Sequence, residues 1–229
     1  MAPGSPYPTA APFVPAGADL AALAAAAAGC RGCPLHEPAT QTVFGDGSAG
    51  ARVAMVGEQP GDMEDRRGLP FVGPAGKLLD RALEEAGIDR RTAYVTNAVK
   101  HFKFTMAGSG KRRIHAKPDT LEVAACRPWL TAELSVLDPE VVVFLGATAA
   151  QSLLGASFRV TRSRGVLMPW PPGGQEANTL FDEAEDGGRQ AAFALATIHP
   201  SAVLRADDRE TAYAGLVSDL RVVAEVLAL

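Results

Sequence analysis

At 229 residues with 47% hydrophobic side chains and a formal charge of −4, the chain suits one α/β domain with a substantial core and does not suit a generic polyanion binder. No apolar run reaches the roughly 20 residues that cross a bilayer. The Ala-rich stretch from Leu20 to Ala28 follows a Pro/Ala/Gly-rich lead-in, carries Asp19 at its start and lacks a basic flank, so it reads as cytoplasmic sequence rather than a secretory leader. In chain order, Met1 to Gly17 reads as a disordered tail, and Ala18 to Gly29 as a short helix capped by Gly29.

Cys30-Arg-Gly-Cys33 follows, and with Cys126 the cysteines number three. An odd count with a CxxC spacing points to a metal or redox centre rather than a structural disulfide. A thioredoxin-like pair is the rival, but this motif precedes the first strand. Val53 to Val56 is an apolar run of the kind buried on both faces of a parallel sheet. It breaks at Gly57, and Pro60-Gly61 predicts a turn, which leaves Glu58 and Gln59 just past the carboxyl end of a strand. A second loop, Gly68 to Pro74, holds Phe71 among Gly and Pro residues, and a helix over 75–86 presents Leu78, Leu79, Ala82 and Leu83 on one face. An acid, an amide and a held aromatic on adjacent loops fit a pocket for a small, flat, polar ligand.

Tyr94 to Val99 is a second short strand with Asn97 near its end. From Lys100 to Pro118 the composition turns basic: Lys100, Lys103, Lys111, Arg112, Arg113 and Lys117 occur without an acidic residue, Phe102 and Phe104 are interleaved, and Gly108 and Gly110 loosen the middle. A mobile loop of this kind fits nucleic-acid phosphates, whereas a merely solvated face would mix both signs. A helix is predicted over 119–134, with Asp119 as N-cap and Glu122 three residues on. A third strand over 140–145, a helix over 147–154, an edge strand or extended segment over 160–168, and an acidic Pro/Gly-rich excursion from Trp170 to Gly188 come next. A fourth strand over 191–197 runs into His199-Pro-Ser201-Ala-Val-Leu-Arg205, and an amphipathic helix over 209–227 closes the chain. Strands alternating with helices predict a three-layer α/β/α fold around a mainly parallel four-stranded sheet, as a single domain over 18–229. Glu58, Asn97 and His199 then share one rim of that sheet.

Gly57-Glu-Gln-Pro-Gly61, Leu69-Pro-Phe-Val-Gly-Pro-Ala-Gly76, Asn97-Ala-Val-Lys-His101 and His199-Pro-Ser-Ala-Val-Leu-Arg205 together resemble the iron–sulfur uracil-DNA glycosylases, from Cys30 to the last helix. Lys111-Arg-Arg-Ile-His115 is similar to the loop that marks the X-type members (UdgX), which bind uracil-containing DNA covalently. The resemblance implies a [4Fe–4S] cluster. Four cysteines hold it in related enzymes, but this chain has His101 at the place of one of them, which implies Cys30, Cys33, His101 and Cys126 as ligands. His36, three residues after Cys33, is a rival fourth ligand, and zinc would suit the same donor set.

The resemblance also assigns the pocket. Phe71 would stack on a flipped uracil, and the Asn97 amide would read its Watson–Crick edge, accepting from N3–H and donating to O4, where cytosine presents the opposite pattern. His199 would donate to O2 and stabilise the leaving anion, and Glu58 would sit near the sugar. Gln59 would contribute mainly its backbone N–H. Lys111, Arg112, Arg113, Ser201 and Arg205 would meet phosphates. His115 would attack C1′ and leave a stable N-alkylimidazole. The implied activity is base-excision removal of uracil from DNA, single-stranded by preference, with free uracil as product, by a monomer that becomes covalently trapped. The rivals are a turnover glycosylase of the same superfamily and a non-catalytic uracil-DNA binding module.

Overall fold

The structure, a computed structural model, describes residues 7–108, 112–171 and 192–228. Five strands form the main sheet: β1 (Val53–Gly57), β2 (Ala93–Asn97), β5 (Val141–Leu145), β6 (Met168–Trp170) and β7 (Ala192–Thr197). Their spatial order is β2-β1-β5-β7-β6. The first four run parallel, and β6 pairs antiparallel with β7. The α/β class and mainly parallel sheet match the reading of the sequence; the sheet has five strands rather than four. The segment over 160–168 divides into a short helix, α6 (Val160–Ser163), and an approach to β6, whose three residues are too few to show an alternating pattern.

β1, β2 and β5 are buried at every position, because helices cover both faces. One face packs on α3 (Pro74–Ala86), α7 (Pro200–Arg205) and α8 (Arg209–Leu227) through Leu79, Leu83, Val203, Leu216 and Leu220. The other packs on α4 (Thr120–Leu137) and α5 (Ala147–Leu154) through Leu130, Leu134, Ala149 and Ala150. Sequence signals set these helix ends. Asp119 accepts from the N–H groups of Leu121 and Glu122, and Glu122 reaches back to the Asp119 N–H, a reciprocal cap. Pro74 opens α3, and Gly87 closes it at φ +83°.

The N-terminal segment departs from the predicted tail. Over residues 7–17 a 3-10 turn forms at Ala11–Phe13, Ala10 is buried, and its N–H donates to Ala125 O on α4 at 2.8 Å. A Cβ on Gly32 would meet the Ala10 main chain at 2.6 Å, so the glycine inside the CxxC lets this segment lie against the cysteines. The helix that follows, α1 (Leu20–Ala27), starts at an Asp19 cap and ends at right-handed Ala28 instead of a Gly29 cap.

The basic stretch is also more ordered than its composition predicts. β3 (Phe104–Ala107) pairs antiparallel with β4 (Arg112–His115) as a hairpin outside the main sheet. Another unpredicted element, α2 (Asp62–Arg67), starts one residue after Pro60-Gly61. Lys111 and most of the Trp170–Gly188 excursion lie outside the described residues. Among the described residues no helix is long and apolar enough to cross a membrane.

Candidate active site

In this topology the chain passes from β1 to β2 on one side and then crosses to β5 on the other side of β1, and the crevice at the carboxyl ends of those strands is where open α/β sheets bind ligands. A cavity of about 710 Å³ lies there, lined by Glu58, Gln59, Phe71, Asn97, His115, His199, Ser201 and Arg205 among others. These residues come from the ends of β1, β2 and β7, the loop before α3, the hairpin, and α7. Eight of the side chains singled out in the sequence therefore converge on one space.

Phe71 has φ +56°, a left-handed conformation that a side chain makes costly, by about 1–3 kcal/mol. Its surroundings hold it there. A Cβ on Gly76 would collide with the Phe71 carbonyl oxygen, so glycine is what lets the first turn of α3 lie under that peptide. Gly57 does the same at the end of β1: a Cβ there would collide with Asn97 Oδ1 and come within 2.8 Å of Phe71 Cζ. Asn97 is buried. The Phe71 ring lies nearly parallel to the His199 ring, with centroids 6.3 Å apart and planes 27° from parallel. An aromatic face, an amide and an imidazole border the same volume.

Two carboxylates organise the loops. Glu64, on α2 and buried, accepts from Gly61 N–H at 3.1 Å and Gly73 N–H at 2.8 Å, tying the loop after β1 to the loop that carries Phe71. Glu58 accepts the Thr148 hydroxyl on Oε2 at 2.5 Å, which leaves Oε1 turned toward His115 Nε2 at 3.5 Å. Neither Glu64 nor Thr148 stands out in the sequence reading. The Gly61-x-x-Glu64 spacing is a helix-start signal that Pro60-Gly61 hides, and Thr148 carries no signal because 90 residues separate it from its partner.

Gln59 uses its side chain as a strap. It accepts from Lys103 N–H at 3.0 Å, which fixes the amide orientation, and its NH₂ reaches Lys103 O at 3.1 Å and Ala116 O at 3.0 Å, on the two legs of the hairpin. His115 Nε2 lies 2.9 Å from the same NH₂, with its side chain half exposed at the mouth. Arg113 departs from the phosphate-contact reading. Its guanidinium turns inward to Asp62 at 2.5 Å, Asp65 at 2.6 Å and Thr40 Oγ1 at 3.1 Å, and lies over the rings of Phe102 and Phe104. It anchors the hairpin to α2, where a charge-assisted pair with a buried carboxylate is strong. Lys103 pairs with Glu122 at 2.7 Å and Asp119 at 3.6 Å, and Lys100 is fully buried against Glu133. Half of the basic stretch is thus neutralised by acids distant in sequence. Arg112 and Lys117 stay exposed, and Lys117 lines the cavity.

His199 caps α7: the Ser201 N–H donates to Nδ1 at 3.0 Å, so the ring proton sits on Nε2. Burial, then the charges of Arg205 and His115, push its pKa from 6.5 down to about 4. The site therefore holds a neutral imidazole with an N–H to offer. The unfolded chain takes up a proton below pH 6.5 that the folded ring refuses until about pH 4. His199's contribution to stability is complete above pH 6.5 and is lost as the pH falls toward 4. Over that window the urea-derived stability of the parent should fall more steeply with acid than that of His199→Asn, by up to about 1.4 kcal/mol per pH unit. Parallel curves would contradict the neutral assignment.

Cys30, Cys33 and Cys126 share a separate buried cluster with Trp129 and Leu35, and all three are free thiols. Trp129 Nε1–H donates to Cys30 Sγ at 3.2 Å, and Lys100 N–H to Cys126 Sγ at 3.3 Å. Burial pushes the Cys33 and Cys126 thiols up to about 11 and about 12, so ionising them needs a positive centre beside them. Next to Lys100, His101 is buried, and burial lowers its pKa to about 4. The Thr42 hydroxyl donates to Ala27 O at 2.9 Å, so His101 Nε2–H donates to Thr42 Oγ1 and Nδ1 keeps its lone pair. His36 is only partly buried and directs Nδ1 to Cys33 O at 2.6 Å. Among the described residues no three His, Cys, Asp or Glu side chains converge as a single ion requires. A multi-iron cluster is wider than one ion and spreads its ligands, and buried thiols receiving N–H donors fit it in kind.

The model of the uracil DNA glycosylase superfamily matches residues 44–221 of this chain, a span that holds every cavity residue named above. A type-4 uracil-DNA glycosylase of Thermotoga maritima is 36% identical over 177 residues, covering 77% of this chain and 78% of that protein. Another, of Pyrobaculum aerophilum, is 33% identical over 187 residues, with 82% and 85% covered. A third, of Archaeoglobus fulgidus, is 34% identical over 179 residues, with 76% and 78% covered.

Proposed function

The chain belongs to the uracil DNA glycosylase superfamily, and on that premise we propose that it excises uracil from DNA, single-stranded by preference, and is then held covalently to the abasic sugar through His115. The observation that carries the covalent step is the His115 imidazole at the cavity mouth, with Nε2 3.5 Å from the Glu58 carboxylate. Excision requires the base to leave the stack and enter the cavity. Phe71 supplies the stacking face. The buried Asn97 amide accepts from N3–H and donates to O4, and a cytosine in its place would leave those groups unpaired.

As the C1′–N1 bond breaks, its electron pair goes to the uracil ring and positive charge develops on the sugar. The neutral His199 donates Nε2–H to O2. Glu58, held on one oxygen by Thr148, places its charge beside the sugar. His115 attacks C1′ through Nε2, the nitrogen that faces Glu58, and the imidazolium then loses its Nδ1 proton. The uracil anion gains one proton, so the balance is free uracil and an N-alkylated histidine. That imidazole is a poor leaving group, which stops turnover. Arg205, Ser201 and Lys117, which line the cavity, and the exposed Arg112 would meet the strand's phosphates, and Lys111 belongs with them in sequence.

Cys30, Cys33, Cys126 and His101 would hold a [4Fe–4S] centre, which when bound supplies a cross-link between the N-terminal segment, α4 and the turn after β2. The proposal is tested by mixing the protein with a labelled single strand carrying one uracil, heating in detergent, and running a denaturing gel beside a thymine control. A uracil-dependent, heat-resistant band at protein-plus-DNA mass is the expected result. Alkali-labile DNA without that band would make the chain a turnover glycosylase, and neither signal would leave a binding module. Glu58→Gln keeps an acceptor for Thr148 but removes the charge, and should slow single-turnover uracil release by roughly 100-fold. An unchanged rate would remove Glu58 from the chemistry.

A further inference from the structure

We propose that the buried Lys100–Glu133 ion pair is the element that positions Asn97 for base recognition, an inference that rests on the glycosylase reading above. Both side chains are 0% exposed. Such a pair is a weak stabiliser compared with apolar residues of the same volume, because desolvating two charges offsets most of their attraction. Its placement gives it another role. The Lys100 ammonium pairs with Glu133 Oε2 and donates to Thr96 Oγ1 at 2.7 Å and to the Asn97 carbonyl oxygen at 2.8 Å, so all three donors are used. Glu133 Oε1 in turn accepts from Tyr94 OH at 2.8 Å, Thr96 OH at 2.9 Å and Gly45 N–H at 3.2 Å.

Asn97 is the last residue of β2, an edge strand of the sheet. Beyond it the chain turns, with Ala98 N–H on Gly57 O at 2.9 Å and Val99 N–H on Glu58 O at 3.0 Å. The N–H of the peptide after Asn97 thus stays on β1, while its carbonyl, on the side of this edge strand away from β1, takes the ammonium. Lys100 is itself fixed through its main chain: its N–H reaches Cys126 Sγ, and its carbonyl accepts from Val43 N–H at 2.8 Å. Glu133 sits on α4 with Cys126. The backbone that carries the reading amide is therefore locked from behind by a charge-assisted bond in a fully buried site, and its side chain is bounded in front by Gly57 and Phe71. Telling uracil from cytosine by one amide demands a fixed orientation, since a rotated amide would present its donor where its acceptor belongs.

Lys100→Met combined with Glu133→Gln removes both charges and leaves no uncompensated ion. At a thermal midpoint and a uracil-free DNA affinity matching the parent, this variant should release uracil from a single strand roughly 10- to 100-fold more slowly under single-turnover conditions. The same two substitutions in an Asn97→Ala background should change the rate less than about twofold, because a residue acting through Asn97 loses its effect when the amide is gone. An unchanged rate in the first comparison, or an equal loss in both backgrounds, overturns the proposal. Should the variant fail to fold, Lys100→Gln with Glu133→Gln keeps polar groups of similar size and carries the same expectation. The unsubstituted protein is assayed first: if it releases no uracil, the glycosylase reading has failed, which is distinct from a parent that excises and a variant that does so equally well.

Discussion

On the proposed mechanism, His115→Ser should abolish the heat-resistant protein–DNA band while uracil release continues, so that a protein expected to stop after a single uracil turns over. The expectation follows from what the substitution leaves in place. The hairpin is held by Arg113 on Asp62 and Asp65 and by Gln59 on both of its legs, none of which needs the imidazole. His199, Asn97 and Phe71, the residues proposed to receive the base, are untouched, and Glu58 keeps its Thr148 bond. With serine at 115 the space beside Glu58 Oε1 admits water, which can attack C1′ from the side the imidazole occupied. Free uracil and the gel-shifted band are read from the same reaction. A surviving band would assign the covalent bond to another residue, and loss of both signals would mean that His115 serves bond cleavage itself.

Gly57→Ala should lower single-turnover uracil release by at least roughly 100-fold, out of proportion to its effect on the fold. The added methyl has no free volume: it collides with Asn97 Oδ1 and with the Phe71 ring edge. Overpacking of this kind costs about 1–3 kcal/mol, and β1 is clamped between β2 and β5. The two side chains that yield are therefore the ones proposed to hold the base. Urea unfolding gives the stability change, and a uracil-containing strand gives the rate. A normal rate with reduced stability would show that neither Asn97 nor Phe71 needs its present position.

Much of this site is legible in the residues because its signals are local. Val53 to Val56 and Val141 to Leu145 are apolar throughout, which identifies strands covered on both faces, and carboxyl ends of parallel strands place Glu58, Asn97 and His199 on one rim. The Asp119–Glu122 cap and the Pro74 and Gly87 ends of α3 are short-range as well. Signals that cancel locally mislead. Pro60-Gly61 reads as a turn, but Gly61 is also the N-cap of α2, and the helix it starts supplies Asp62, Glu64 and Asp65. Pro, Ala and Gly in the first residues read as a tail, but small side chains are what let Ala10 pack on α4 beside Gly32.

The sequence by itself determined the layered fold, the residues that meet at the carboxyl rim, and the family to which their spacing belongs, because strand period, helix caps and glycine-bounded loops act within a few residues. Only the tertiary structure decided which charges are spent. Lys100, Lys103 and Arg113 stand in a stretch without acids, yet their partners are Glu133, Glu122, Asp62 and Asp65, brought from other elements. It also decided which oxygen of Glu58 faces His115 and which ring nitrogen of His199 carries the proton. An ion pair or a hydrogen bond depends on distance in space, and that distance has no period along the chain.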